Sequence, residues 1–183
     1  GENVKEKIAE MLEITAKTLD FDQVYLVDLS ADDEDAMILC AYTRDQNIVS
    51  LPFRPGVKVK TAALPMAEAL MAQKNPVGCP DITDLPVDER GEERNFFASR
   101  GILAYYALPI TLENKAVGML VIEDSRKADL RVRHNQLYFL GMIVNILGDT
   151  RKKIIYEERL YNYAYFDEST KLANRNMLKK NIE

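Results

Sequence analysis

Residues 103–123, LAYYALPITLENKAVGMLVIE, hold two strongly apolar runs separated by a short polar interruption, Glu113, Asn114 and Lys115. The runs are rich in Tyr, Ile, Val and Leu, which suit a pleated, buried surface, and the interruption is a turn, so the stretch reads as a β-hairpin. Neither arm alternates polar with apolar residues: 104–110 and 116–122 contain no charge at all. A sheet built on such arms is covered on both faces, and helices or ordered loops must lie on each side of it. Pro109 cannot donate to a ladder and marks an irregular or edge-like point in the first arm. Gly118 marks a bulge or the close approach of another backbone.

On the N-terminal side, Val4, Ile8, Met11, Leu12, Thr15 and Leu19 recur at helical spacing and predict an amphipathic helix. A strand follows over 21–29 (FDQVYLVDL), then an acidic turn of Asp32, Asp33, Glu34 and Asp35, then a second strand over 36–43. The acidic run lacks the glycine and the distant bidentate glutamate of a calcium loop, and it reads as a solvated hairpin tip. A third strand is expected over 48–53, ended by the breaker Pro55-Gly56. Residues 64–73 predict a short helix with Pro65 in its first turn, stopped at Asn75-Pro76. Residues 76–84 (PVGCPDITD) are extended and turn-rich, and 88–100 (DERGEERNFFASR) form a broken helix carrying Phe96 and Phe97.

Beyond the hairpin, a polar linker over 124–129 leads into a helical pattern from about Val132 to Phe166. At ~1.5 Å per residue this helix extends roughly 50 Å, more than the width of a single domain of this size. A seven-residue repeat places Leu140, Leu147, Ile154 and Tyr161 at one position and Leu137, Val144, Arg151, Glu158 and Tyr165 at its partner. The first half reads as core and the second as a dimeric seam. Arg151 and Glu158 either restrict the register of that seam or lie at the edge of a poor one.

The 183 residues suffice for one domain with a substantial core and some surplus, and 47% hydrophobic with 29% charged residues is a folded, soluble composition. A net charge of −5 argues against a generic nucleic-acid binder. The basic clusters, Arg131 with Arg133 and Arg151 to Lys153, are interspersed with seam residues and suit a solvated coiled-coil flank. The longest apolar helical run, 137–147, falls short of the ~20 residues of a membrane span, and the charged N-terminus is no signal peptide. Cys40, Cys79 and the lone His134 offer neither a disulfide framework nor a zinc site, so no metal is expected and the cytoplasm fits best. His134, at the start of the last helix, reads as solvated.

Pro76, Val77, Pro80, Asp81 and Ile82, followed by the hairpin of 107–110 and 115–122, carry a family resemblance. With the order helix, hairpin, strand, connecting helices, hairpin, long helix, residues 4–150 resemble the GAF domain, a PAS-like sensor fold. The first set is similar to that family's extended segment after its middle helix, the second to its "vPl … g.viGvl.l" hairpin. The resemblance implies an α+β fold: a central antiparallel sheet with terminal helices on one face, loops and short helices on the other, and a long C-terminal helix. It also implies that a small organic ligand, where there is one, sits between the sheet and the loops of about 53–100. The candidates are Tyr42, Arg54, Cys79, Asp81, Phe97, Tyr105 and Tyr106. Each has a structural alternative: the tyrosines as core residues with one satisfied hydroxyl, Arg54 as a solvated or loop-stapling residue, Asp81 as a turn or helix cap. Cys79 precedes Pro80 with no histidine near it, unlike the bilin-attaching members, and no NKFDE-like motif of the cyclic-nucleotide-binding members is present.

Asp167, Thr170, Leu172, Asn174 and Arg175 match the "D.LTGL.NR" entry motif of GGDEF domains, the diguanylate cyclase family, which residues 167–175 resemble. Ser169 departs from the usual Leu and Lys171 from the usual Gly. Read locally, residues 167–170 break the long helix and cap a new one near Ala173. The two resemblances together imply a GAF sensor over 1–150, a signalling helix over 151–166 and the start of a GGDEF domain over 167–183. The chain ends before any GG(D/E)EF loop, so GTP and magnesium would belong to the remainder of that domain, and no cofactor is expected in this chain. The expected function is a cytoplasmic, homodimeric regulatory domain that senses a small-molecule effector and controls a cyclase making cyclic di-GMP, without being an enzyme itself. Two alternatives stand beside it: a ligand-free scaffold whose pocket is filled by Phe96, Phe97, Tyr105 and Tyr106, and a methionine sulfoxide reductase of the same fold. The reductases use three clustered cysteines, against Cys40 and Cys79 here.

Overall fold

Both arms of the hairpin form where the apolar runs lie. A computed structural model describes residues 2–29, 32, 34–87, 92–128 and 133–179. In it β5 (Ala104–Leu112) and β6 (Lys115–Asp124) are joined by Glu113 and Asn114. The two turn residues have φ of 51° and 65°, the type I′ geometry whose twist matches that of the strands. A Cβ on Gly118 would lie 3.0 Å from the Val27 carbonyl oxygen, and the pairing register shifts beside it, between Ile110 and Thr111. Close approach and bulge therefore occur together. On its other side β5 is paired by β4 (Val77–Cys79) only over Tyr105–Ala107, so Pro109 sits where the strand has become a sheet edge and needs no donor on that side.

β1 (Gln23–Asp28), β2 (Asp35–Thr43) and β3 (Lys58–Lys60) complete a six-stranded antiparallel sheet in the order β3-β2-β1-β6-β5-β4. The third strand is not at 48–53, where it was expected. That stretch is irregular: Ile48 and Val49 close a turn on the Asp45 carbonyl, Pro52 offers no donor, and Ser50 bonds to Arg100 instead of to a strand. The true third strand comes after the Pro55-Gly56 breaker.

Strand alternation gives the sheet two buried faces. Tyr25, Val27, Ile38, Tyr105, Ala107, Met119 and Val121 share one core with α2 (Pro65–Gln73) and α3 (Glu92–Ala98). Val24, Leu26, Leu108, Ile110, Leu120 and Ile122 are buried on the other face, as are Leu12, Ala16 and Leu19 of α1 (Glu2–Leu19) and Leu140, Ile143 and Leu147 of α4 (Arg133–Lys179). α2 starts with Pro65 at its first position, where the missing N–H is not needed, and ends at Lys74 in the left-handed conformation.

The chain divides into two compact units, Gly1–Leu147 and Gly148–Glu183. The second is helical as far as Lys179, with Tyr156, Leu160, Tyr161 and Tyr163 exposed. The break expected at 167–170 does not occur, since α4 continues through these residues. None of the four is Gly or Pro, and their propensity cost of a few tenths of a kcal/mol each is too small to stop an established helix. The side chains of Asp167, Thr170, Leu172, Asn174, Arg175 and His134 lie outside the described residues, as do Asp33, 88–91 and 129–132.

Candidate functional site

Phe97 and Tyr105 fill the space between α3 and the sheet. Their rings stack 4.1 Å apart at 11°, and Phe96 meets Phe97 edge-on at 4.9 Å. Phe97 is wholly buried and Tyr105 nearly so. Cys79, opposite Tyr105 in the β4–β5 register, donates its thiol hydrogen to the Asp81 carbonyl at 3.0 Å. Asp81 caps the 3-10 turn of Ile82–Asp84, accepting from the Thr83 N–H at 3.0 Å and its hydroxyl at 2.7 Å, and pairs with Lys127 at 3.0 Å. The Thr83 bonds and then Lys127 lower its pKa to about 2.

The remaining sequence candidates lie elsewhere. Tyr42 pairs with Val24 and Tyr106 with Ile122, so both side chains belong to the face that carries α1, opposite Tyr105. Tyr106 meets Phe21 edge-on at 6.5 Å. Adjacent strand residues face opposite sides of a sheet, so Tyr105 and Tyr106 do not share a pocket. Arg54 is exposed in the turn closed by Val57. Of the seven candidates, Cys79, Phe97 and Tyr105 come together, with Asp81 at their margin.

Beside these rings lies a polar cluster that the sequence reading missed. Arg100 places its guanidinium on both oxygens of Glu123, at 2.8 and 2.5 Å, with Glu123 fully buried and Arg100 almost so. Gln23 donates to Glu123 Oε1 at 2.7 Å and Tyr25 to Oε2 at 3.0 Å, while Thr43 donates to Gln23 at 2.6 Å. The Ser50 carbonyl accepts from both Arg100 and Gln23, and the Arg100 Nε–H reaches the Phe96 carbonyl at 2.9 Å. The guanidinium also lies 4.5 Å from the centre of the Phe96 ring, a cation–π contact. Burial works against the charge on Arg100, but Glu123 outweighs it and the pKa is raised. Burial, and then the Glu123 carboxylate, push the Tyr25 phenol well above its usual range.

Local chain geometry holds this clasp in place. Gly101, at φ 79°, turns the backbone directly after Arg100, and a Cβ there would collide with the Ile48 carbonyl. Gln23, Glu123 and Tyr105 lie side by side across β1, β6 and β5. The available signal was this register: Gln23, Tyr25 and Glu123 are the polar groups at inward positions of otherwise apolar strands.

A second acidic cluster occupies the same end of the sheet. Asp22 accepts from the Ser125 N–H at 2.8 Å and hydroxyl at 2.5 Å, and its own N–H donates to Asp124 at 3.1 Å. Burial and then the Asp22 carboxylate push Asp124 up to about 6, against the pull of Arg126. Burial opposes the charge on Asp22 too, but its bonds from Ser125 and Asp124 outweigh this and lower its pKa.

Neither thiol is activated. Burial raises Cys79, and raises Cys40 to about 11, the reverse of what a nucleophilic cysteine requires. Among the described residues no group of three His, Cys, Asp or Glu could hold a metal ion, and no helix is long and apolar enough to cross a membrane. Of the expected seam, Leu140 and Leu147 are buried, Arg151 and Ile154 half-buried, and Glu158 and Tyr161 exposed.

The family model described as "GAF domain" matches residues 3–149. No curated protein matches the sequence. Solved structures share the fold at low identity. The blue-light absorbing form of the PixJ GAF domain from Thermosynechococcus elongatus has a TM-score of 0.68 at 10% identity, covering 90% of this chain and 94% of that one. A GAF domain region of a putative membrane protein from Geobacter sulfurreducens gives 0.65 at 11%, with coverages of 82% and 93%. A domain of a putative two-component sensor histidine kinase protein from Sinorhizobium meliloti gives 0.62 at 13%, with coverages of 88% and 99%.

Proposed function

This chain belongs to the GAF domain family, and from that premise we propose that it is a cytoplasmic, homodimeric sensor module that controls a C-terminal GGDEF diguanylate cyclase in response to a small molecule. GAF domains are sensor modules typical of signalling proteins. The observation that carries the finer reading is α4, which starts inside the matched region and continues as one helix to Lys179, through the residues that resemble the GGDEF entry motif. A helix shared by sensor and output transmits a change only if effector binding favours one helix arrangement over another; each ~1.4 kcal/mol of difference changes their ratio tenfold. The organisation proposed is a sensor over 1–150, a signalling helix over 151–166 and an output domain beginning at 167.

The test is to express the complete open reading frame and supply GTP and magnesium. Formation of cyclic di-GMP supports the reading; a reading frame whose continuation past Glu183 encodes no GG(D/E)EF segment overturns it.

One observation favours the scaffold alternative for part of the domain. Phe97, Tyr105 and the Arg100–Glu123 clasp occupy the space under α3 with the protein's own side chains. Native mass spectrometry separates the readings: an added mass lost on denaturation supports a sensor, and an adduct-free dimer supports a scaffold.

A further inference from the structure

We propose that a groove at the opposite end of the sheet from Arg100 binds a small organic anion with an apolar body, such as an aromatic carboxylate. The groove, of about 970 Å³, is lined by residues of α2, the end of β3 and the β5–β6 turn. That volume is at the upper end of the range for small-molecule sites. Strand register separates it from the clasp: β5 and β6 pair Tyr105 with Glu123 at one end and Leu112 with Lys115 at the other. The seven residue steps of β5 from Tyr105 to Leu112 span roughly 23 Å at ~3.3 Å each.

The lining is amphipathic in the sense such a ligand needs. Ala62, Met71, Ala72 and Ala116 offer an apolar surface for a ring or short chain. Lys60, Lys74 and Lys115 bring three cations to it, against the carboxylates of Glu34 and Glu68. Lys60 holds Asp35 only at 3.4 Å and in an exposed setting, a weak pair with which a ligand carboxylate competes. Thr61 also lines the groove, with its hydroxyl oxygen buried beneath the wall. Charge and apolar surface together favour this class over the two simpler occupants, since an inorganic anion makes no contact with the apolar wall and a neutral hydrocarbon gains nothing from the positive charge at its rim.

This assignment supplies the sensor reading with a ligand class, and rests on that reading for its signalling consequence alone. The test is amide chemical-shift mapping of the whole chain with 2-naphthoate, alongside neutral 2-naphthalenemethanol and cationic 2-naphthylmethylamine. The result expected is saturable shifts at Thr61, Ala62, Met71, Ala72 and Ala116 with naphthoate, and binding about fivefold weaker on Lys74→Asn. Asn suits the left-handed backbone at this position, so this variant folds. Met71→Glu, which places a carboxylate on the apolar wall, abolishes the shifts, and Lys74→Asn decides the matter where Met71→Glu does not fold. Equal binding of all three probes, or no saturable shift with naphthoate, overturns the proposal. Naphthoate shifts centred on Phe97 and Tyr105 overturn it while leaving the sensor reading intact. Groove binding without any change in sedimentation or cyclase output leaves the site standing and counts against the sensor reading.

Discussion

Glu123 is a tightly constrained charge, because both of its oxygens are committed to donors from three residues, Gln23 and Tyr25 of β1 and Arg100 after α3, and neither oxygen reaches water. Removing one partner of such a pair strands the other. Glu123→Ala should therefore lower the free energy of unfolding by about 3–5 kcal/mol, measured by urea denaturation, whereas the apolar pair Arg100→Met with Glu123→Leu should recover most of the loss. A loss below about 1 kcal/mol for the single variant would show that the clasp is open in solution. Asp124 should show itself through pH. It keeps its proton to about 6 in the folded state, whereas an unfolded aspartate releases it near ~3.9. Between those values the folded chain binds more protons, so the stabilisation from Asp124 is complete below about 4 and is lost as pH rises through 6. Asp20, Asp22 and Asp81 are shifted downward and act at lower pH. Asp124→Asn should thus match the parent at pH 4 and gain on it progressively up to pH 7; a pH-independent difference would count against the assignment.

At the scale of elements, α3 is short and depends on the turn at its C-terminal end. Its last turn closes through Arg100 and Ile102 N–H bonds to the Phe97 carbonyl, and Gly101 then reverses the chain at positive φ. Gly101→Ala adds backbone strain and a collision with Ile48, and should cost about 1–3 kcal/mol. Faster amide exchange in 92–98 than in β5 would accompany it if α3 is held by this turn; uniform destabilisation would show that it is not. The hairpin, α1, α2 and the start of α4 were legible because periodicity and turn chemistry are local signals. The strand at 48–53 was misread because Ile48, Val49, Leu51 and Phe53 have strand-like composition, while pairing depends on a partner edge that β3 takes instead. The break at 167–170 was misread because a cap motif stops a helix only where tertiary contacts favour stopping it.

For the molecule as a whole, the prediction concerns association. The second unit leaves Tyr156, Leu160, Tyr161 and Tyr163 exposed, more apolar surface than a lone solvated helix normally shows. If these residues serve a dimer, sedimentation velocity should give twice the chain mass at micromolar concentration. A chain ending at Arg151 should dissociate at least tenfold more readily, and an unchanged sedimentation mass on truncation would sink the dimeric mechanism.

From the sequence came the two-sided burial of the hairpin, read from its charge-free arms, and the helices at both ends, read from local periodicity; the antiparallel sheet was what the family resemblance implied. The candidate site was only partly readable. Cys79, Phe97 and Tyr105 became candidates through the pocket that the family resemblance implies, yet Tyr42 and Tyr106 were placed with them because ring chemistry does not reveal which face a strand residue occupies. Register decides that, and register comes from pairing residues about a hundred positions apart, as with Gln23 and Glu123. The Arg100–Glu123 clasp belongs wholly to the tertiary structure: a charge at the end of an apolar strand looks like an exit to solvent until a second chain segment arrives to bury it.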